Sequence, residues 1–441
     1  MSCLILGEVY HTDRLDIIKI SINFLGKMMN DDTLAGRRIT ARLDRINLWP
    51  YPKKYMIIVG IGFFFSFYDI LTIGLALPKI QQDFIIDLHQ ATWTITSSLI
   101  GYILGSFFIS RLADKHGRKL GLTLSMLFFF LGSFGSAISV NLTWLIISQL
   151  ITGIGIGAEI ANITAYIGEL APASVRGRST SIAIAYGMLG FAIIPFVAYF
   201  LIPHYAYGWR ILFAIGGLGG ILIYLLRRVL PDSPRWLVIN HRLDQAEKIV
   251  AQVEQFAQKK SPAILPKPKM IATYAMNHDT SLKNFLDKKY IFRIILFTLI
   301  WFIYYIGNYA WLTLVPSLLV KHGFSITTSI GFTAVASTGF VLGSIISVFI
   351  VDKLERKWLA VIISLIWSVI LLLIGWFAQP FLIMVVVSLQ PPPSQQLYRS
   401  YIFIQGKISL PGCELPVYRL PMGSVILAVP SVVKLFFLLQ P

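Results

Sequence analysis

Residues 101–119, GYILGSFFISRLADKHGRK, align without a gap onto residues 339–357, GFVLGSIISVFIVDKLERK, at a constant offset of 238, and eight of nineteen positions are identical. Both copies run from an apolar stretch into a short basic loop ending in Asp-Lys-x-x-Arg-Lys. Apolar helices share Gly and Leu through composition alone, but composition does not supply a matched Asp, Lys, Arg and Lys. The chain therefore reads as a duplication, with two halves of like topology.

The rest of the sequence says what kind of halves these are. Of 441 residues, 56% are hydrophobic and 13% charged, against ~25% charged in an ordinary soluble domain. That is too little charge to coat a water-facing surface. A helix needs ~20 apolar residues to cross hydrocarbon, and all its backbone groups must bond internally. On that criterion spans lie near 55–77, 92–112, 120–140, 143–165, 179–202 and 209–228, with three more near 291–319, 327–350 and 358–378. The implied fold is an all-α polytopic membrane protein. Its domains are a cytoplasmic tail (1–54), a six-helix bundle (55–228), a cytoplasmic central loop (229–289), a partial second bundle (290–390) and an atypical tail (391–441).

Lys and Arg set the orientation. Fifteen of them lie on one side, before span 1 and after spans 2, 4 and 8; only Lys79, Arg210 and Lys321 lie on the other. Positive charge gathers on the cytoplasmic side, so the N-terminus is expected inside. The net charge of +17 is accounted for by these short loop clusters, and no basic face with stacking aromatics points to nucleic acid. In the central loop, 243–259 has amphipathic helical spacing suited to the membrane surface or the bundle. Cys3 and Cys413 form no metal or disulfide pattern. Neither a cofactor nor a metal site is expected, and no nucleophile–base pair or H-E-x-x-H motif marks an intramembrane enzyme. Residues 1–28 read as an extension upstream of a start at Met28 or Met29.

Parallel repeats of this kind are a secondary-transporter architecture, with substrate bound between the halves near the midplane. The stretch S-R-L-A-D-K-H-G-R-K at 110–119 resembles the loop 2–3 signature of the major facilitator superfamily. T-G-I-G-I-G-A-E at 152–159, E-L-A-P-A-S-V-R-G-R at 169–178 and P-D-S-P-R-W-L at 231–237 are similar to its sugar-porter and metabolite:proton symporter branch. The resemblance covers about 40–390 and implies six plus six helices, of which about nine to eleven can be counted, leaving the C-terminal half incomplete. Two positions depart from the pattern: Ser110 replaces a glycine of the loop signature, and Gln149 stands where the branch commonly has a membrane-buried arginine. The latter removes a charged contact suited to anionic substrates.

Several side chains could carry a mechanism. The resemblance makes Asp114, Gly117 and Arg118 an inter-helix switch, Asp352 and Arg356 its weaker copy, and Glu169 with Arg176 the latch of the 4–5 loop. Alternatively, Asp114–Arg118 is a plain exposed ion pair worth under ~1 kcal/mol. Asp69 lies deep in span 1, where an ionised carboxylate costs at least ~2.5 kcal/mol. It must face the bundle interior or a water-filled cavity, or carry a proton; proton coupling and a hydrogen-bonded neutral Asp both fit. Glu159 follows Gly153, Gly155 and Gly157, whose bare backbones let helices approach, and is either a second coupling residue or structural glue. Trp301, Tyr305, Asn308 and Tyr309 or Trp311 recur at helical spacing in span 7 as a wall for a planar or hydroxylated solute, and Tyr68, Gln149 and Tyr186 complete the candidate substrate contacts. Pro195 lacks the preceding glycine of the antiporter branch, which favours symport or facilitated uptake.

The expected function is proton-coupled symport of a small organic metabolite, an organic acid or sugar-like, by a monomer in a bacterial inner membrane. The competing reading is a non-transporting remnant or transporter-derived sensor. It rests on Pro391, Pro392 and Pro393, which stop helix continuation, and on a tail that matches nothing where the second copy of the 4–5 motif falls, near 407. A shifted reading frame near residue 390 would explain that tail.

Overall fold

The computed structural model describes residues 34–260, 265–268, 295, 299, 313–321 and 323–350, with side chains to 342 within the last stretch. Among them, Trp301, Tyr305, Asn308 and Tyr309 do not fall, nor do Asp352, Arg356 and the 391–441 tail. Those expectations lie outside the described residues.

The described chain is helical throughout, with no strand. A short helix α1 (34–44) precedes six long ones: α2 (Lys53–Phe84), α3 (Leu88–His116), α4 (Arg118–Ala137), α5 (Leu142–Leu170), α6 (Arg176–Leu201) and α7 (Gly208–Leu226). A 3₁₀ turn (Arg227–Val229), α8 (Pro234–Ile239) and α9 (Leu243–Lys260) follow. Then come α10 (313–321) and α11 (Ile326–Ile350). Helices α2 to α7 are long and apolar enough to cross a bilayer, matching the six spans expected before residue 228.

The ends differ from the sequence estimate for readable reasons. Helix α2 runs on to Phe84 although Pro78 lies inside it; proline removes one backbone bond but does not oblige the helix to stop. The helix ends at Ile85, in the left-handed region at φ 53°. Helix α3 starts early because Asp87 caps it, its side chain accepting from Gln90 N–H at 2.6 Å while the Gln90 side chain reaches back to Asp87 N–H. Such a box satisfies two otherwise orphaned donors.

The chain divides into two compact units. The larger holds the membrane helices (52–168, 176–231 and 273 onward). In it α2 packs along α6 and α7, α4 along α7, and α11 along α6, where Phe340 meets Phe191 at 5.3 Å between ring centroids. Its outer faces keep apolar side chains exposed, including Phe108 at 62% and Leu218 at 60%, which is a surface solvated by lipid rather than water. The smaller unit (up to Tyr51, Glu169–Val175 and Asp232–Ala272) gathers three segments far apart in sequence.

Helices α3 and α5 approach to backbone contact. A Cβ on Gly101 or Gly105 would strike the carbonyls of Leu150 and Ile154, and one on Gly153 or Gly157 would strike those of Ser98 and Tyr102. The two pairs, each spaced by four residues, interlock as small-xxx-small seams do in membranes. Gly155, on the other side of α5, faces Ser125 and Phe129 of α4. The glycine run of span 4 thus serves two neighbours at once.

Candidate functional site

The polar interior of the helical unit is built on α4. Its Ser133 and Ser136 lie three residues apart, so their hydroxyls share a face about 4.5 Å apart along the axis. The Ser133 hydroxyl borders the Asp69 carboxyl and donates to Phe213 O at 2.9 Å. Ser136 accepts from Gln149 Nε2 at 3.0 Å. Tyr68, beside Asp69 in sequence, donates its hydroxyl to Leu212 O at 3.0 Å. Helices α2, α4, α5 and α7 are thereby joined through side chains.

Asp69 is 1% exposed, and its Oδ1 has no hydrogen-bond partner among the described residues. The same is true of Gln149 Oε1 in a residue that is 0% exposed. A buried acceptor left unpaired costs roughly 1–3 kcal/mol. The three candidate contacts that fall in described residues are placed unlike one another. Tyr68 and Gln149 are buried inside the unit and bonded to its own helices. Tyr186 is half-buried on α6, packed against the backbone of α2 where Gly60 leaves no side chain in its way.

Glu159 is not alone. Arg227 donates through Nη1 to Glu159 Oε2 at 2.6 Å and through Nη2 to Glu159 Oε1, and both side chains are fully buried. Ser125 Oγ also donates to the carboxylate, and Arg227 Nη1 reaches Leu122 O. Helix α2 passes over this fork at Gly62, where a Cβ would collide with Arg227 Nη2 and Glu159 Oε1. From the sequence, Arg227 fell inside the span at 209–228 with no role assigned to it, and the pair was missed. The available signal was a lone Glu inside one span facing a lone Arg at the end of another, with nothing local to join them.

The Asp-Lys-His-Gly-Arg-Lys loop turns at Gly117, whose φ of 112° and ψ of 144° lie in a region essentially reserved for glycine. That single residue ends α3 and starts α4, and Asp114 Oδ1 meets Arg118 Nη1 across it at 2.7 Å. At the repeat offset the second copy has Glu355 in place of Gly117, so this turn is not duplicated residue for residue. Arg176 opens α6, while Glu169 lies near the end of α5.

In the smaller unit Asp44 accepts from Ala173 N–H at 2.8 Å and from Arg235 Nη2 at 2.6 Å, and Arg235 Nε donates to Glu169 O at 3.1 Å. Glu254 on α9 receives Arg42 at 2.6 Å and Arg45 at 2.6 Å. Burial alone would push the Glu254 carboxyl up, but the hydrogen bonds from Arg42 and then Arg45 outweigh it and hold the group below the usual carboxylate range. Arg42 is pushed up correspondingly, chiefly by its bond to Glu254. The amphipathic face of α9, with Ala246, Val250, Val253 and Ala257 buried, thus packs in this unit with its acidic residue tied to the segment before α2.

Comparison with known proteins places this geometry. The model of the Major Facilitator Superfamily matches residues 59–401. The niacin transporter NiaP of Acinetobacter baylyi is 29% identical over 72% of this chain and 71% of its own length. The 4-hydroxybenzoate transporter PcaK of the same organism is 34% identical over 44% of this chain and 43% of its own. The xylose transporter XylE of Escherichia coli, in a partially occluded inward-open conformation, superposes with a TM-score of 0.68 at 20% identity, over 87% of this chain and 90% of that one.

Proposed function

Because the chain belongs to the major facilitator superfamily, and is therefore a multi-pass membrane transporter of small solutes rather than an enzyme, we propose that it works as a proton-coupled symporter of a small organic metabolite. Asp69 is the proton carrier. The observation that supports this is a carboxyl 1% exposed, its Oδ1 unpaired among the described residues, with Ser133 beside it and the neutral amide of Gln149 bonded to Ser136 on the same helix. An acid so placed can be neutral when loaded and must find water or a partner when it discharges. Glu159, held by Arg227, is then a structural member that ties α5 to the end of α7, leaving one proton-bearing group rather than two.

In this scheme Asp114, Gly117 and Arg118, with Glu169, Arg176, Asp352 and Arg356, form the gating network, and the aromatic face of span 7 contacts the solute. The N-terminus is cytoplasmic and the membrane a bacterial inner membrane, with the monomer as the working unit. The decisive experiment uses proteoliposomes holding the full chain and offered labelled D-xylose, D-glucose, nicotinate or 4-hydroxybenzoate. An inward proton gradient is expected to raise uptake above that at equal pH. Asp69→Asn is expected to lose the gradient response while solute exchange at equal pH survives. A gradient response that persists in Asp69→Asn rejects Asp69 as the proton site.

A further inference from the structure

We infer that the transported solute is an uncharged, hydrogen-bonding molecule rather than an organic anion. The inference rests on the carrier reading above and deepens it. Its basis is a census of cations at membrane depth. On the first six helices and the turn after them, Lys53, Lys54, Arg111, Lys115, Arg118, Lys119, Arg176, Arg178 and Arg228 lie at or near the ends that carry the basic loops, which leaves Lys79, Arg210 and Arg227. Lys79 lies near the outer end of α2 and pairs with Asp83 at 3.4 Å. Arg210 lies at the start of α7, where it bonds Ala137 O at 3.3 Å and Ser139 O, and lies 4.3 Å over the Trp209 ring. That leaves Arg227 as the interior cation, and both oxygens of Glu159 neutralise it in a fork that is 0% exposed. The later apolar stretches add none: residues 294–320, 322–352 and 358–398 contain no Lys or Arg. Of the four that follow, Arg399 stands at the edge of the family match, which ends at 401, and Lys407, Arg419 and Lys434 lie beyond it.

Among the described helices, a carboxylate solute brought to the midplane would therefore lose its water and meet no uncommitted positive charge. The interior offers instead the carboxyl of Asp69, whose ionised form repels an anion. Low dielectric makes either effect large. A cationic solute fits less well than a neutral one, because Asp69 is 1% exposed and would have to carry the proton as well. A neutral solute is desolvated without an ionic penalty and can be held by the hydrogen-bonding groups that remain. Gln149 is the specificity-determining position: as a neutral amide it leaves the interior without fixed positive charge.

Charge-matched pairs test this. Purified full-length chain in proteoliposomes is assayed by counterflow at equal pH 7 on both sides, with D-glucose against D-glucuronate, D-xylose against D-xylonate, and nicotinamide against nicotinate, and with choline as the cation. At least one neutral member should exchange, and at least tenfold faster than its acid. Faster exchange of any acid than of its neutral partner overturns the proposal. So does faster exchange of choline than of every neutral solute, and so does silence of all the neutral members. Gln149→Arg should move the neutral-to-acid ratio at least tenfold toward the acid; a folded variant with an unchanged ratio removes Gln149 from the argument and sinks its assigned role. Counterflow at equal pH needs no proton gradient, so failure of the proton-coupling reading leaves this readout intact, and the reverse holds too.

Discussion

Arg227 and Glu159 bind each other where neither could remain alone. Removing one partner of a fully buried pair strands the other charge and destabilises by roughly 3–5 kcal/mol, whereas replacing both with apolar residues can be close to neutral. Glu159→Gln is therefore expected to lower the unfolding midpoint of the purified chain strongly, and the double variant Glu159→Leu with Arg227→Met to recover most of the loss. A double variant as unstable as the sum of its singles would contradict the pairing. Gly62 belongs to the same cluster. Gly62→Ala forces a methyl group into the guanidinium–carboxylate fork and should cost roughly 1–3 kcal/mol by overpacking, read in the same unfolding assay. The sequence showed that Glu159 is intramembrane, but its partner lies 68 residues away, a separation no local pattern bridges.

At the scale of elements, the interlocked glycines of α3 and α5 and the ion cluster of α9 fail in different ways. Gly105→Val places branched carbons against Ile154 O; the helices must separate, and the variant should be recovered in far lower yield or with a broad, early unfolding transition. Normal yield and an unchanged transition would show that the seam does not require glycine. Glu254 gives a pH-dependent counterpart. Its carboxyl is held below the ordinary range, so the ionised form stabilises the smaller unit. That contribution is complete above the unfolded value near ~4.3 and is lost as pH falls through the lower folded value. Hydrogen-exchange protection in 243–260, normalised to intrinsic rates, should fall in acid for the native chain and should be weaker at pH 7 in Glu254→Ala. Exchange that is alike in both chains at pH 7 would remove Glu254 as a tether. The amphipathic spacing of 243–259 made α9 legible; its binding to Arg42 and Arg45 was not, because those residues read as topology charges.

For the whole molecule, the duplication predicts that the two related loops share a face of the membrane. Replacing Cys3 and Cys413 by serine leaves a cysteine-free chain, into which single cysteines at Lys115 and Lys353 can be introduced. Both should react with an impermeant maleimide only from the cytoplasmic side. Labelling from opposite sides would break the repeat topology, and the orientation drawn from fifteen basic residues against three would fail with it. Much of the fold was legible, since apolar length, loop charge and a repeated Asp-Lys-x-x-Arg-Lys loop each act locally and each pointed the same way.

By itself the sequence determined that helices cross lipid, how many the first half holds, and that a carboxyl lies deep in the first span. Those properties follow from hydrophobic length and charge placement, which the bilayer reads along the chain. Only the tertiary structure decided which buried charges cancel. It paired Arg227 with Glu159, left Asp69 and Gln149 each with an oxygen unpaired among the described residues, and turned alternate glycines of one run toward different helices. Such outcomes depend on distances between residues far apart in sequence, and in a low-dielectric interior those distances determine whether a charge is neutralised or left exposed to its full cost.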